Sequence, residues 1–210
     1  MKKLRKGKFN TFSEALELIV KGKIGIVPTD TLYGIVGSAL IKEAVEMIYE
    51  VRKRELSKPF IILIPNNNSL IKFGIKISES ENNFLRFLWP ARVSVIFKSQ
   101  NKKFKYLSRN GDTLAMRVPK FKKLLLGLEK VGPIVAPSAN ISGQEPFSNL
   151  KKAQIKFGNK LDFYVEGTVN YLPSTLIKIE KNSVIILRKG LDMSRLKKAV
   201  RLAGYTLKMA

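Results

Sequence analysis

The chain has 210 residues, of which 45% are hydrophobic, and its 39 lysines and arginines against 16 acidic residues give a formal net charge of +23. Cysteine and histidine are both absent, which excludes disulfides, catalysis by Ser-His-Asp or Cys-His groups, and the usual ligands of structural zinc. No apolar run reaches the ~20 residues of a membrane span, and the basic N-terminus lacks the apolar region of a signal peptide, so we expect a cytoplasmic protein.

Apolar periodicity and turn residues predict helices over 11–21, 41–51, 79–88, 120–129, 149–157 and 192–203, the last of which closes the chain. Strands are expected over 24–27, 60–64, 93–97, 114–118, 134–136, 162–165, 175–179 and 183–188. Because the elements alternate unevenly and the last third is rich in strands, the pattern predicts an α/β fold with a mixed sheet. The length favours a single domain over residues 1–210.

Four polar segments lie at the ends of predicted strands or helices. They are VPTDTLYG (27–34), RKRELSKP (52–59), RVP (117–119) and PSANISG (137–143). Neither a Walker A sequence nor a dinucleotide fingerprint is present. Hydroxyls, backbone turns and fixed cations at strand ends are nevertheless what a site for an anionic nucleotide requires. Without an imidazole base, chemistry that depends on positioning and charge, such as nucleotidyl transfer, is favoured.

The first and last segments each follow a strand. Thr29, Asp30 and Thr31 are placed to offer hydroxyls and amides at a strand's carboxyl end, where open α/β sheets bind ligands; the alternative is an ordinary turn into the next helix. The PSANISG segment is expected to present backbone N–H groups to phosphate oxygens, with Gly143 at positive φ. Its alternative is a plain asparagine-containing turn.

The two middle segments supply cations. Arg52 and Arg54 lie two residues apart, so they do not share a face on a helix. They precede a buried strand, which favours a converging triphosphate over simple compensation of the helix dipole. Arg117 ends an apolar run and therefore requires a partner. That partner is either a substrate carboxylate or an internal Asp or Glu.

The order and spacing of these segments, from about residue 22 to 190, resemble the YrdC family, the threonylcarbamoyl-AMP synthases. Ser174-Thr175 and ILRKG (186–190) lie where the family has its second Ser-Thr and its terminal arginine. The resemblance implies the short, single-domain form: a YrdC-like twisted mixed sheet with flanking helices around a basic concave cavity. It also implies that ATP, L-threonine and bicarbonate give threonylcarbamoyl-AMP and pyrophosphate. A tRNA threonylcarbamoyl-transferase complex would then modify adenosine 37 of tRNA.

The resemblance assigns roles to residues of this chain. L-Threonine would be bound by Thr31, Arg117, Ala136 and Ser174. ATP would be bound by Arg54, Lys58, Thr113, Ser138 and Arg188. The catalytic cations would be Arg52, Arg54 and Lys58, with Arg52 standing where the family usually has lysine. No protein-bound metal is implied, because Mg²⁺ would arrive on the ATP phosphates.

The chain departs from the family around its single tryptophan. The family often has W-P-G-P-x-T where this chain has WPARVS (89–94). The turn is thereby altered, Arg92 adds a cation, and Ser94 takes the place of the threonine hydroxyl. Leu63 lies where some relatives carry a polar residue near threonine. These differences bear on amino-acid selectivity more than on ATP binding.

The net charge has two explanations, a polyanionic partner such as tRNA or lysines dispersed over the surface. The alternative function is therefore a non-catalytic YrdC-like protein that binds RNA through its basic face. Phe104 and Tyr106, among Lys102, Lys103 and Lys105, are the local feature that resembles a base-stacking platform. We favour a role for these aromatic residues in a core strand.

Overall fold

The computed structural model describes residues 9–109 and 111–210, so that most of the basic N-terminal segment lies outside the described residues. The strands are β1 (Gly25–Pro28), β2 (Tyr33–Ser38), β3 (Ile61–Leu63), β4 (Val93–Lys98), β5 (Thr113–Arg117), β6 (Ile134–Val135), β7 (Phe163–Tyr164), β8 (Thr175–Glu180), β9 (Ser183–Arg188) and β10 (Thr206–Met209). The α-helices are α1 (Phe12–Val20), α2 (Lys42–Arg52), α3 (Ser69–Lys72), α4 (Glu79–Leu88), α5 (Lys105–Ser108), α6 (Lys122–Val131), α7 (Leu150–Phe157) and α8 (Met193–Leu202). Lys102–Phe104 and Gly158–Lys160 are 3₁₀ helices.

The strands form one sheet in the order β10-β9-β8-β4-β5-β3-β6-β2-β1-β7. The pairs β9–β10, β4–β8, β3–β5 and β1–β7 are parallel, and the remaining neighbours are antiparallel. The predicted α/β fold with a mixed sheet and flanking helices is therefore confirmed. In the part of the chain that the structure describes, no helix is long and apolar enough to cross a bilayer.

The helices begin where the sequence supplies caps. At α1 the Thr11 hydroxyl accepts from the Glu14 amide while the Glu14 carboxylate accepts from the Thr11 amide, and Ser78 and Glu81 repeat this capping box at α4. Such boxes satisfy amides that have no partner within the helix. The apolar faces of these helices are buried against the sheet, so short strands such as β3 lie in the core.

Three parts of the secondary-structure prediction were wrong or incomplete. Residues 33–38 form β2, which the sequence did not predict because the segment is buried on both faces and contains two glycines, so it has no polar–apolar alternation. A final strand, β10, follows α8, whereas the helix was expected to close the chain. The short helices α3 and α5 were also missed, because one turn is too short for a periodic signal.

Candidate functional site

A cavity of about 330 Å³ opens on one face of the sheet and brings the four polar segments together. Its volume is in the range of small-molecule sites. The predicted site residues that line it are Thr31, Arg52, Arg54, Thr113, Arg117, Ala136, Ser138, Ser174 and Arg188. Lys58 is the predicted residue that does not line it. These residues come from places as far apart as positions 31 and 188, so the fold itself assembles the site.

Strand β5 forms the floor of the cavity. Thr113, Ala115 and Arg117 alternate along it and therefore point to the same face. Ala115 lies opposite Ile61 of β3 on one side and Ile96 of β4 on the other, and both isoleucines also line the cavity. An apolar centre with a cationic end thus follows from the period of one strand.

The VPTDTLYG segment is a β-hairpin turn between the antiparallel strands β1 and β2. Thr29, Asp30 and Thr31 therefore follow the carboxyl end of β1, as predicted, but the turn leads into the antiparallel strand β2, so the alternative of a turn into a helix was wrong. Within the turn Thr29 donates its hydroxyl to the Leu32 carbonyl at 2.7 Å, and the hydroxyls of Thr29 and Thr31 lie 3.0 Å apart. The two hydroxyls are thereby held at the edge of the cavity.

Arg52 and Arg54 reach the same cavity because the helix ends between them. Arg52 is the last residue of α2, and Lys53 adopts a left-handed conformation with φ 50° and ψ 42°. Because the chain reverses at Lys53, the helical periodicity that would have separated the two side chains no longer applies. Spacing alone did not predict this, since nothing in the sequence RKR marks a left-handed lysine.

Arg52 is 2% exposed and is held by the PSANISG segment. Its Nη2 donates to Asn140 Oδ1 at 2.7 Å and its Nε to the Asn140 carbonyl at 3.1 Å. Its own carbonyl accepts from the Ser142 amide at 2.8 Å. The amides of Ala139 and Asn140 are also used internally. These three amides are engaged within the protein, and the expectation that the turn presents others to phosphate stays a prediction. Gly143 has the predicted positive φ of 81°.

The cations at this end lack acidic partners. Among the described residues, no salt bridge joins Arg52, Arg54 or Arg188 to a carboxylate. Burial, and then the nearby Arg54, lower the pKa of Arg52 to about 10. Burial also lowers the pKa of Arg54. For Arg188, burial and then the charge of Arg117 lower the pKa. Arg52 is buried, Arg54 is half-buried and Arg188 is exposed, and cations without an ion-pair partner are an arrangement that a bound polyanion would relieve.

Arg117 differs from these arginines because it has an internal partner. Its Nη2 donates to Asp30 Oδ1 at 2.9 Å and lies 3.4 Å from the Thr31 hydroxyl, while Asp30 Oδ2 accepts from the Lys120 amide. The internal acidic partner considered from sequence is thus present. The Nε of Arg117 is buried and makes no hydrogen bond, so Asp30 and Thr31 do not satisfy all the donors of this guanidinium.

Ser174 and Arg188 form the third corner of the cavity. Arg188 donates from Nη2 to the Ser174 carbonyl at 3.0 Å, and the Ser174 hydroxyl lies 3.0 Å from the hydroxyl of the fully buried Ser94. Ser94 therefore acts behind Ser174 and does not line the cavity. Leu63 is buried in a separate part of the core and is also absent from the lining.

Arg92, the extra cation of the WPARVS segment, is bonded to two other parts of the protein. Its Nε donates to the Asp30 carbonyl at 2.9 Å, and its Nη1 pairs with Asp192 at 3.2 Å. Asp192 also accepts from the Arg92 amide. The altered turn is thus tied to the hairpin turn and to the start of α8.

Lys58 and the lysine-rich aromatic segment lie away from the lining. Lys58 is exposed and its Nζ pairs with Glu55 at 2.9 Å. Phe104 is buried in a 3₁₀ helix, and Tyr106 in α5 donates its hydroxyl to the Ala39 carbonyl. These two aromatics are core residues, as favoured, but the expected strand was wrong. They do not form an exposed platform for stacking bases.

Sequence reasoning missed Phe60 as a site residue. Its ring lies beneath both pocket arginines, with the guanidinium carbons of Arg52 and Arg54 at 5.8 and 5.6 Å from the ring centre. In the sequence Phe60 is the first residue of an apolar run, which is typical of a core strand. Its position directly after Lys58-Pro59 was the one signal that could have placed it at the site. Within residues 9–109 and 111–210, no cluster of three or more acidic residues is placed to hold a metal ion.

The sequence of the chain is similar to those of known proteins. The chain matches the Sua5/YciO/YrdC family, described as "Telomere recombination", over residues 17–190. It is 32% identical over 174 residues to a putative threonylcarbamoyl-AMP synthase of Methanocaldococcus jannaschii, covering 82% of each chain. It is 28% identical over 190 residues to the threonylcarbamoyl-AMP synthase of Pyrococcus abyssi, covering 89% of this chain and 56% of that protein.

A solved structure with the same fold is P. abyssi Sua5 complexed with L-threonine. The two superpose with a TM-score of 0.81 at 27% identity, over 92% of this chain and 58% of the Sua5 chain. The chain therefore spans little more than half the length of the P. abyssi protein.

Proposed function

The chain belongs to the Sua5/YciO/YrdC family, and from this membership we propose that it is an L-threonylcarbamoyladenylate synthase. It is an enzyme of the class that its curated relatives are named for. The finer assignment is nucleotidyl transfer from ATP. The observation that supports it best is the cavity in which four arginines, including Arg52 and Arg188, meet hydroxyl groups without an acidic residue in the lining.

L-Threonine fits the end of the cavity around Arg117. The guanidinium of Arg117 lines the cavity and is a charge-assisted donor for the amino-acid carboxylate. Thr31 and Ser174 place hydroxyls beside it, and Ala136 leaves room for a small side chain. The P. abyssi relative binds L-threonine.

ATP fits the end around Arg52. Arg54, Ser138 and Thr113 line the same cavity, and Arg188 lines it from beside Ser174. The lowered pKa values of Arg52, Arg54 and Arg188 mark charges that phosphates would compensate. Lys58 joins them only if it leaves Glu55. Any Mg²⁺ would arrive on the triphosphate, because the lining supplies no carboxylate to hold it.

The reaction proceeds in two steps that need no histidine. The amine of L-threonine adds to bicarbonate to give a carbamate and water. A carbamate oxygen then attacks the α-phosphorus of ATP, and pyrophosphate leaves. Arg52, Arg54 and Lys58 stabilise the charge that develops on the phosphates, and the cavity shields the labile carbamate from water.

The product serves tRNA modification. We place the enzyme in the cytoplasm, where a tRNA threonylcarbamoyl-transferase complex would consume threonylcarbamoyl-AMP. The +23 charge is consistent with direct contact with tRNA. A purely RNA-binding role is less well supported, because Phe104 is buried and Tyr106 is partly buried with its hydroxyl bonded to the Ala39 carbonyl.

The test is pyrophosphate release from ATP by the purified protein. Release that requires both L-threonine and bicarbonate, with threonylcarbamoyl-AMP detected by mass spectrometry, is the expected result. Absence of release at saturating ATP and Mg²⁺, together with RNA binding that weakens steeply with salt, would overturn the proposal in favour of the RNA-binding role.

A further inference from the structure

A continuous stack of cationic and aromatic side chains leads from outside the cavity to Arg52 and Arg54. The guanidinium carbon of Arg109 lies 3.6 Å from the centre of the Tyr49 ring. The Tyr49 ring stacks on Phe60 at 3.9 Å with an interplanar angle of 24°. The guanidinium groups of Arg52 and Arg54 lie over the same phenylalanine. We call Arg109, Tyr49 and Phe60 the stack.

The outer end of the stack is fixed by an ion pair. Arg109 donates from Nη1 and Nη2 to the two carboxylate oxygens of Glu46 at 2.9 and 3.0 Å. Its side chain is 10% exposed, and it does not line the cavity. Its backbone has φ 59° and ψ −118°, a conformation that costs free energy for a residue with a Cβ. The surroundings therefore hold Arg109 in place against its own backbone preference.

The inner end of the stack is also joined to Arg54 by hydrogen bonds. The Tyr49 hydroxyl and the Arg54 Nε both donate to the Lys58 carbonyl, each at 3.0 Å. The Arg54 amide donates to the Tyr49 carbonyl at 3.1 Å. Tyr49 thus contacts Arg54 through its backbone, through a shared acceptor and through the Phe60 ring.

We propose that the stack is a positioning device that sets the guanidinium groups of Arg52 and Arg54 for the ATP phosphates, with Arg109, Tyr49 and Glu46 acting as positioning residues outside the cavity. This inference rests on the proposed function. The two arginines repel each other and lack carboxylate partners, so an aromatic face beneath them supplies attraction without neutralising the charge that phosphates require. The planar guanidinium of Arg109 is attracted to the other face of the stack, where it lies over the Tyr49 ring.

The decisive variants separate stacking from charge and from hydrogen bonding. Tyr49→Leu removes the ring, whereas Tyr49→Phe removes only the hydroxyl. Arg109→Met removes the cation, whereas Arg109→Lys keeps the charge but loses the planar bidentate geometry. Arg195→Met is the matched control, because Arg195 is half-buried, donates to the Leu88 carbonyl and does not line the cavity.

The readouts are calorimetric binding of ATP, KM for ATP and for L-threonine, kcat, and the melting temperature. Tyr49→Leu, Arg109→Met and Arg109→Lys are expected to weaken ATP binding and raise its KM about tenfold, roughly the effect of losing one cation–π contact in a desolvated site. KM for L-threonine should stay within about twofold, since its pocket is built around Arg117. Tyr49→Phe should retain most of the affinity, and Arg195→Met should match the wild type.

A purely structural role gives a different pattern. It would lower kcat and the melting temperature through loss of folded protein while leaving both KM values unchanged, and that result would overturn the inference. Full rescue by Arg109→Lys would also overturn it, because charge alone would then suffice. If Arg109→Met does not fold, Glu46→Gln tests the same end of the stack by loosening Arg109.

Failure of the proposed function looks different again. Wild-type protein that binds ATP but releases no threonine-dependent pyrophosphate would contradict the synthase assignment. The effect of the stack on ATP affinity would still be measured in that protein by calorimetry, and unchanged affinity in Tyr49→Leu would then contradict the stack alone.

Discussion

Asp30 accepts a hydrogen bond from Arg117 at 2.9 Å, and the side chains of the two residues are 1% and 3% exposed. The pair joins the hairpin turn to the end of β5 across 87 positions of sequence. Because Asp30 offsets part of its charge, Arg117 suits a singly charged carboxylate. The uncompensated Arg52 at the other end suits a polyanion instead. The two ends of one cavity thus differ in charge compensation, and in the proposed reaction this difference would direct the amino acid to one end and the triphosphate to the other.

Removal of Asp30 should destabilise the protein strongly. Asp30→Ala leaves Arg117 buried without a counter-charge, which typically costs about 3–5 kcal/mol of unfolding free energy. Asp30→Asn keeps an acceptor and should cost less. Urea denaturation of both variants measures the difference. If the free energy of unfolding of Asp30→Ala lies within about 1 kcal/mol of the wild-type value, the buried pair is not what stabilises this turn.

We expect the buried charge of Arg52 to lower the free energy of unfolding and to strengthen the binding of a polyanion. Its lowered pKa means that the folded state binds its proton more weakly than the unfolded chain does. The unfavourable contribution is therefore fully present below pH 10, and it diminishes only as the pH rises from about 10 towards the ordinary value of 12.5. At neutral pH a bound polyanion is what offsets it.

We therefore expect Arg52→Met to unfold within about 1 kcal/mol of the wild type without ligand, because relief of an unpaired buried charge compensates for the lost hydrogen bonds. Pyrophosphate at 100 times its Kd should stabilise the wild type by about 2.7 kcal/mol and the variant far less. Thermal denaturation with and without pyrophosphate measures both effects. Arg86→Met, at an exposed arginine of α4, is the control; equal stabilisation of Arg52→Met and wild type would remove Arg52 from the phosphate site.

Lys58 is expected to act only after it leaves Glu55. Their exposed pair is worth about 0.2–1 kcal/mol, so Glu55→Gln should lower the KM for ATP by up to about fivefold at this energy. Lys58→Met should raise that KM. Steady-state kinetics at varied ATP measures both. Unchanged KM in the two variants would mean that Lys58 stays outside the reaction, where the structure places it.

Local signals predicted the helices well and the contacts between segments poorly. The start of α1 could be predicted because Thr11 and Glu14 form a capping box within four residues. Strand β2 could not, because α2 and α1 pack against its two faces and remove the alternation that marks a strand.

The site shows the same division. The residue types and order identified its members, since hydroxyls and arginines after apolar strands are local features. Their pairing was not predictable, because Asp30–Arg117 and Arg52–Asn140 each join residues almost ninety positions apart. The convergence of Arg52 and Arg54 depends on a single left-handed residue, Lys53. Because lysine rarely adopts this conformation, the sequence did not predict it.

The altered WPARVS turn leads to a last prediction, about amino-acid binding. Arg92 replaces a proline of the family pattern and ties the hairpin turn to Asp192 through the Asp30 carbonyl. Arg92→Met should therefore loosen the turn that carries Thr31 and orients Arg117. We expect the KM for L-threonine to rise about tenfold, comparable to loss of one charge-assisted hydrogen bond, with KM for ATP nearly unchanged.

Kinetics at varied L-threonine and varied ATP make this measurement. Lys23→Met, which removes a more exposed and longer ion pair with Asp162 at 3.6 Å, is the control for loss of a cation. An equal rise in both KM values would contradict the prediction, because the Arg92 guanidinium bonds the hairpin turn that carries Asp30, the partner of Arg117. A selective rise would mean that the Arg92–Asp192 pair supports the hairpin turn that we propose to bind L-threonine.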